Sequence, residues 1–113
     1  MRISTHILDL VLGKPATGVA LRLDVQEPGG DWRRLTLAHT DHDGRCAQLL
    51  PPQTGLHPGI YRFVFETGQY YASQQIASLY PSVEITFQVR SGESHFHIPL
   101  LLSPNGYTTY RGS

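Results

Sequence analysis

Features that would assign the chain to an oxidising compartment or to a membrane are rare or missing in the sequence. Cys46 is the only cysteine among the 113 residues, so no disulfide can form within the chain and a reducing compartment is expected. No apolar stretch approaches the roughly 20 residues that a helix needs to cross a bilayer. Thr5, His6 and Asp9 interrupt the first apolar residues before any cleavage pattern. We therefore expect a soluble, cytoplasmic protein that begins without a leader and binds no membrane.

An excess of charge of one sign is also missing. Nine basic and nine acidic residues give a formal net charge of zero, so the sequence lacks the field that would attract nucleic acid or anionic lipid. A small or neutral ligand is the expected partner, and the low net charge permits self-association. With 40% hydrophobic residues, the chain fits one domain over residues 1–113.

The familiar catalytic signatures are absent too. The sequence contains no Gly-x-Ser-x-Gly elbow, no phosphate-binding glycine loop and no His-Glu-x-x-His helix. His39, Asp41, His42 and Asp43 crowd one segment and suggest a metal site, but a structural zinc site usually has four ligands, with thiolates common among them. A polar turn is the preferred interpretation, and neither a metal nor another cofactor is expected.

Short segments in which apolar and polar residues alternate make up most of the chain, separated by Gly, Pro, Asn and Asp. Val19, Leu21, Leu23 and Val25 alternate with polar neighbours, and residues 83–90 repeat the pattern. This period of two predicts β-strands with one buried face. The predicted strands are residues 3–12, 19–26, 32–40, 47–50, 60–66, 83–90, 95–103 and 107–111. One short helix, residues 68–75, is predicted between strands five and six, so the fold class is an all-β sandwich of two packed sheets.

Two histidines share one face of predicted strand seven. Alternation places His95 and His97 on the same side as Pro99 and Leu101, while the apolar residues between them face the opposite side. The histidines therefore lie outside the core and can line a cleft. An imidazole titrates near neutral pH, so either can take a proton from water. The alternative is two exposed polar residues on a sheet face.

His6 and Arg45 give weaker signals. His6 lies in predicted strand one on the face shared with Ser4 and Leu8, where a hydrogen-bonded structural histidine is the simpler interpretation. Arg45 follows an Asp-Gly turn and opens a strand, and without other information a solvated surface arginine is the simpler interpretation. The residues alone leave both alternatives open.

Several stretches together resemble the transthyretin-like family. They are Ser-Thr-His-Ile-Leu-Asp at residues 4–9 with Gly-Lys-Pro-Ala at 13–16, the turn at 41–45, and the run from 95 to 104. The closing Tyr-Arg-Gly-Ser at residues 110–113 resembles the terminal signature of the family's hydrolase branch, which the hormone-carrying transthyretins lack. The resemblance covers essentially the whole chain.

This resemblance implies both a fold and a site. The implied fold is a sandwich of two four-stranded antiparallel sheets with one short helix, assembled as a homotetramer (a dimer of dimers) in which subunit pairs form a channel. Ser113 would close a site that no internal loop covers. The catalytic positions carried over are His6, Arg45, His97 and Ser113, and the substrate-binding positions are Tyr110, Arg111 and Gly112.

The activity that the resemblance implies is hydrolysis of 5-hydroxyisourate to 2-oxo-4-hydroxy-4-carboxy-5-ureidoimidazoline in urate degradation. His6 and His97 would activate water, and Arg45 would stabilise the oxyanion. The resemblance does not fix a role for His95. One alternative is a non-catalytic transthyretin-like carrier that holds a small aromatic ligand in the same channel, and another is an adaptor that binds partners through a sheet edge.

Overall fold

Two sheets form the fold of this protein, seen in a computed structural model that describes residues 2–47, 49–50 and 57–113. Within these residues the elements follow one another as β1 (Arg2–Asp9), β2 (Lys14–Pro15), β3 (Ala20–Gln26), β4 (Trp32–His39), β5 (Arg45–Cys46), β6 (Gly59–Phe65), α1 (Thr67–Ala72), β7 (Val83–Val89), β8 (His95–Ser103) and β9 (Gly106–Thr109). The predicted all-β class, with one short helix between the fifth and sixth predicted strands, is confirmed. No helix of the described ranges is long and apolar enough to cross a membrane.

Each sheet contributes one face to the core. The first sheet has the order β2-β1-β8-β9, with β5 also paired to β1, and the second has the order β4-β3-β6-β7. Inward-facing residues of both sheets are almost fully buried, as alternation predicts. The first sheet supplies Ile3, Ile7, Phe96, Ile98, Leu100 and Leu102, and the second supplies Leu21, Leu23, Phe63, Phe65, Val83, Ile85 and Val89.

One strand pairing differs from the expected antiparallel arrangement. β1 and β8 run parallel over their shared length, whereas the other named pairings are antiparallel. Along the chain, all strands of the second sheet lie between β1 and β8, so no hairpin connects the two strands or constrains their relative direction. Their register matches core residue to core residue, with the pairs Ile3 to Phe96, Thr5 to Ile98 and Ile7 to Leu100.

The predicted fourth strand is also displaced. Residues 47–50 were expected to be extended, but the strand is the two-residue β5, and Gln48 lies outside the described residues. Gly44 adopts a φ of 73° and its carbonyl accepts a hydrogen bond from the N–H of Ile7 (2.7 Å). This contact brings the chain to β1 directly after the turn, so pairing begins at Arg45.

The first strand and the helix are both shorter than expected, because turns end them early. β1 ends at Asp9, whose Oδ1 accepts hydrogen bonds from the N–H groups of Val11 and Leu12 and so starts a turn. The helix ends at Ala72 and not at residue 75, and Gln75 has a left-handed φ of 59°, which a right-handed helix cannot continue through.

Candidate active site

The pairing around β1 brings three of the predicted catalytic residues to the outer face of the first sheet. His6 is the antiparallel partner of Arg45 in β5, and Ser4 is the parallel partner of His97 in β8. Ser4 and His6 are two residues apart on one strand and therefore share a face. His97 and Arg45 thus flank β1 on the side away from the core, although they are 52 positions apart in the chain.

A surface cavity of about 190 Å³ lies at this place. Its lining residues are Arg2, Ser4, Thr5, Arg45, Ala47, His95, His97 and Ser113. Arg45, His97 and Ser113 are thus brought together as the sequence predicts. His6 stands next to Arg45 but is not part of the lining, and neither are Tyr110, Arg111 and Gly112.

His97 is held in a defined environment. A hydrogen bond of 2.8 Å joins its Nδ1 to Ser4 Oγ. Burial of the ring lowers the pKa of His97 below its ordinary value, and nearby positive charges lower it further. The contributing side chains are, in decreasing order of effect, Arg45, His6, His95 and Arg2, and the two histidines contribute only when they are protonated. The imidazole is therefore mostly neutral at pH 7 and can accept a proton.

His6 has one nitrogen committed to the backbone. Its Nε2 lies 2.8 Å from the carbonyl oxygen of Asp43. Because a carbonyl only accepts hydrogen bonds, Nε2 carries the proton and donates it, which leaves Nδ1 as the basic nitrogen of the neutral ring. The same bond connects β1 to the turn that precedes Arg45.

Asp41 shapes that turn. Its Oδ1 accepts hydrogen bonds from the N–H groups of Asp43 (2.9 Å) and Arg45 (3.0 Å), and its own N–H donates to the Arg45 carbonyl (2.9 Å). The bond from the Arg45 N–H is the main reason why the pKa of Asp41 lies below its usual value. The carboxylate therefore positions the backbone from which the Arg45 side chain extends.

The same turn contains the group that suggested a metal site in the sequence. Candidate ligand atoms of Asp41, His42 and Asp43 lie within 4.8 Å of one another, and all three residues are exposed. Oδ1 of Asp41 is already engaged by two backbone N–H groups. This arrangement supports the interpretation of these residues as a polar turn.

The segment of residues 110–113 lies along β8, beside the cavity. Gly112 forms a bridge with His97, its N–H donating to the His97 carbonyl oxygen (2.8 Å), and Ser113 reaches the cavity lining. Arg111 is directed to Glu93 instead, and the Tyr110 side chain is 55% exposed. The segment thus delivers one residue, Ser113, to the cavity itself.

Some residues at this site are not identified by the sequence pattern. Arg2 and Ser4 both line the cavity, and Ser4 also contacts the His97 ring. A signal for Ser4 was present, because it lies two positions before His6 and therefore on the same face of β1. His95 lines the cavity as well, in agreement with the face that alternation assigned to it.

Known proteins similar to this chain point to one family. Residues 3–112 match the model described as HIUase/Transthyretin family. The chain is 44% identical over 111 residues to a Salmonella dublin protein named 5-hydroxyisourate hydrolase, covering 98% of this chain and 80% of that protein. It resembles the structure of Klebsiella pneumoniae 5-hydroxyisourate hydrolase at 37% identity, with a TM-score of 0.87 and coverage of 99% and 98%. Sea bream transthyretin, crystallised with thyroxine, is similar at 32% identity, with a TM-score of 0.91 and coverage of 97% and 93%.

These similarities bear on two predictions. The transthyretin-like architecture is confirmed, since both solved structures superpose on nearly the whole chain. The prediction of a hydrolase is confirmed by relatives that carry that name and whose alignments cover 98% and 99% of this chain. The chain belongs to the HIUase/Transthyretin family.

Proposed function

We propose that this protein hydrolyses 5-hydroxyisourate to 2-oxo-4-hydroxy-4-carboxy-5-ureidoimidazoline, a step of urate degradation. The observation that carries the proposal is a partly buried His97 whose pKa is lowered, set in one cavity with the guanidinium of Arg45. A neutral imidazole beside a fixed positive charge suits the attack of water on an acyl carbon, because one group takes a proton while the other stabilises negative charge. Kinship with proteins named 5-hydroxyisourate hydrolase supports the choice of substrate.

In the proposed mechanism, His97 is the general base. In the tautomer that this mechanism requires, Nδ1–H donates to Ser4 Oγ and Nε2 keeps a lone pair that accepts a proton from water. The water oxygen bonds to the acyl carbon of the cyclic acyl-urea linkage, and the carbonyl electrons move to the oxygen. When the tetrahedral intermediate collapses, the carbon–nitrogen bond breaks and His97 returns the proton to the departing nitrogen. The net reaction consumes one water.

The other predicted residues complete the site. Arg45 binds the anionic oxygens of the substrate and the tetrahedral oxyanion, for which its planar, permanently charged donors are suited. His6 orients the water through Nδ1, since its Nε2–H is engaged by the Asp43 carbonyl. Ser113 closes the cavity beside His97 and contributes a hydrogen-bonding group. Tyr110, Arg111 and Gly112 were predicted to bind substrate, but they do not line the cavity, and the role proposed for them is to hold Ser113 in place.

We also propose that the active form is a homotetramer in the cytoplasm. The cavity of one chain, about 190 Å³, is smaller than the roughly 300–1,000 Å³ of typical ligand sites. A second chain placed against the outer face of the first sheet would add the missing walls and exclude water from the substrate. The zero net charge leaves little repulsion between copies. The single thiol, Cys46, suits a reducing compartment.

A second candidate function is favoured by one observation, the similarity to a transthyretin crystallised with thyroxine. In that case the protein would carry a small aromatic ligand without chemistry. The carrier hypothesis requires no proton acceptor, whereas the hydrolase hypothesis depends on His97.

Loss of freshly prepared 5-hydroxyisourate, followed by ultraviolet absorbance, separates the two functions. The wild-type protein should accelerate the loss far above the spontaneous rate. His97→Ala should reduce kcat/KM by roughly 100- to 10,000-fold, the range expected for a general acid–base group. Binding without acceleration by the wild-type protein would favour the carrier, and near-wild-type turnover by a folded His97→Ala protein would refute the mechanism.

A further inference from the structure

Arg111 does not line the cavity, but it makes three contacts with neighbouring residues. Its Nη1 lies 2.7 Å from Oε1 of Glu93, in the turn between β7 and β8. Its Nη2 donates to the carbonyl oxygen of His95 (3.0 Å), and its guanidinium carbon lies 4.6 Å from the centre of the Phe96 ring. An ion pair, a backbone hydrogen bond and a cation–π contact together hold one planar group in one place.

The residue that follows Arg111 is packed against the proposed general base. A Cβ added to Gly112 would come within 2.5 Å of Cδ2 of the His97 ring and within 3.3 Å of Cγ of Pro99. The backbone of Gly112 therefore covers the edge of the imidazole. A rotation of the chain at Arg111 would uncover that edge and withdraw Ser113 from the cavity.

We propose that Glu93 is a positioning residue for this site. Through Arg111 it fixes residues 110–113 against β8, so that Gly112 packs on the His97 ring and Ser113 faces the cavity. This inference rests on the proposed hydrolysis for its kinetic consequence but not for its structural one. It also gives Arg111 a role in holding the chain rather than in binding substrate.

The network around Glu93 supplies an internal control. Arg90 contacts the same carboxylate through Nε (2.8 Å) and Nη2 (3.2 Å) but makes its contacts at the turn and not to residues 110–113. Both arginines hold the pKa of Glu93 below its ordinary value, with Arg111 having the larger effect. Removing Arg90 leaves the bond between Glu93 and Arg111 in place, whereas removing Glu93 abolishes it.

Because this ion pair is partly exposed to solvent, its removal should affect the position of residues 110–113 more than the stability of the whole protein. The side chains of Glu93 and Arg111 are 28% and 45% exposed, and ion pairs at such positions contribute little to global stability. Glu93→Ala should therefore fold with a melting temperature close to that of the wild type. A second exposed pair of similar length, Arg33 with Glu27 at 2.8 Å on the other sheet, provides a matched substitution, Glu27→Ala.

The experiment measures kcat, KM and the hydrogen-exchange rate of the Gly112 amide, which donates to the His97 carbonyl. Glu93→Ala should lower kcat by roughly tenfold with little change in KM, since displacement of a reacting group by about 1 Å can cost on the order of 100-fold in rate. The Gly112 amide should exchange faster. Arg90→Ala and Glu27→Ala should match the wild type in both measurements.

A double-mutant cycle separates positioning from a general loss of structure. If Glu93 acts through Arg111, Glu93→Ala should add nothing to the defect of Arg111→Ala. Additive losses, or an unchanged kcat and unchanged Gly112 exchange in Glu93→Ala, would overturn the proposal. Should the wild type fail to hydrolyse 5-hydroxyisourate, the proposed function falls, and the exchange rates of the same variants still decide whether Glu93 positions the segment.

Discussion

His97 combines a partly buried ring with cationic neighbours, and both effects disfavour its charged form. Burial is the larger cause of the lowered pKa of His97, and the nearby positive charges are the smaller one. A second subunit that covered the cavity would increase the burial and lower the pKa further. The general base proposed for this site is therefore kept neutral by its surroundings under the conditions in which it must act.

The pH dependence of activity should reflect this state. We expect the acid limb of kcat/KM to have its midpoint below the ordinary histidine value of about 6.5 and to coincide with the NMR titration of the His97 ring. Between the unfolded and the lower folded pKa the unfolded chain binds the proton more readily, so the contribution of His97 to stability is full above about pH 6.5 and declines as the pH falls through this window. A His97 midpoint at or above 6.5 would contradict the structure.

At the scale of elements, local patterns predicted more than distant contacts did. Alternation alone placed His95 and His97 on the outer face of β8 and assigned the inward residues of β3 and β7, because the strand period depends only on neighbouring residues. The parallel pairing of β1 with β8 depends on contacts between residues 93 positions apart, such as the bond between Ser4 and His97. No local pattern contains that information.

The site, too, combines features that local patterns predict with features that depend on distant contacts. Position in a strand indicated that His97 faces away from the core, but only the family resemblance connected it with His6 and Arg45. The fourth strand was predicted at residues 47–50, whereas β5 is Arg45–Cys46, because its position depends on the Gly44 carbonyl that accepts a hydrogen bond from β1. The contact of Glu93 with Arg111 joins two exposed residues 18 positions apart, a type of ion pair that composition and periodicity do not reveal.

The turn before β5 provides a test with a matched control. Gly44 and Gly18 have nearly equal φ values of 73° and 74°, but a Cβ at Gly44 would overlap the carbonyl oxygen of Ile7, while nothing lies within 4 Å of one at Gly18. Gly18→Ala should cost about 1–2 kcal/mol of unfolding free energy from its backbone conformation alone. Gly44→Ala should cost about 2–5 kcal/mol, since overpacking adds about 1–3 kcal/mol to the same backbone cost.

Urea unfolding measures both changes, and the hydrolysis assay measures their effect on the site. Because Gly44 directly precedes Arg45, its substitution should also reduce kcat/KM, whereas Gly18→Ala should leave it near the wild-type value. Equal losses of stability in the two variants would show that the close approach of the turn to β1 contributes nothing.

Several apolar side chains are exposed on the surface of the single chain, in the turn that follows β1. Leu10, Val11 and Leu12 are consecutive residues of the turn after β1, and they are 58%, 63% and 47% exposed. Single exposed apolar residues are normal on a monomer, but contiguous ones mark contact surfaces. The proposed tetramer provides an occupant for this turn, a second copy of the same chain.

Substitution of Val11 by glutamate should therefore weaken the assembly without unfolding the subunit. In light scattering coupled to size exclusion, the wild type should have about four times the subunit mass of 12.6 kDa, and Val11→Glu a smaller one. Leu37→Glu is the matched control, because Leu37 is 62% exposed but belongs to the other sheet. Loss of the assembly should reduce specific activity, since a chain alone leaves the cavity open to water. A Val11→Glu protein that remained a tetramer would show that the exposed turn is not needed for assembly. A fully active Val11→Glu monomer would show that assembly is not needed for catalysis.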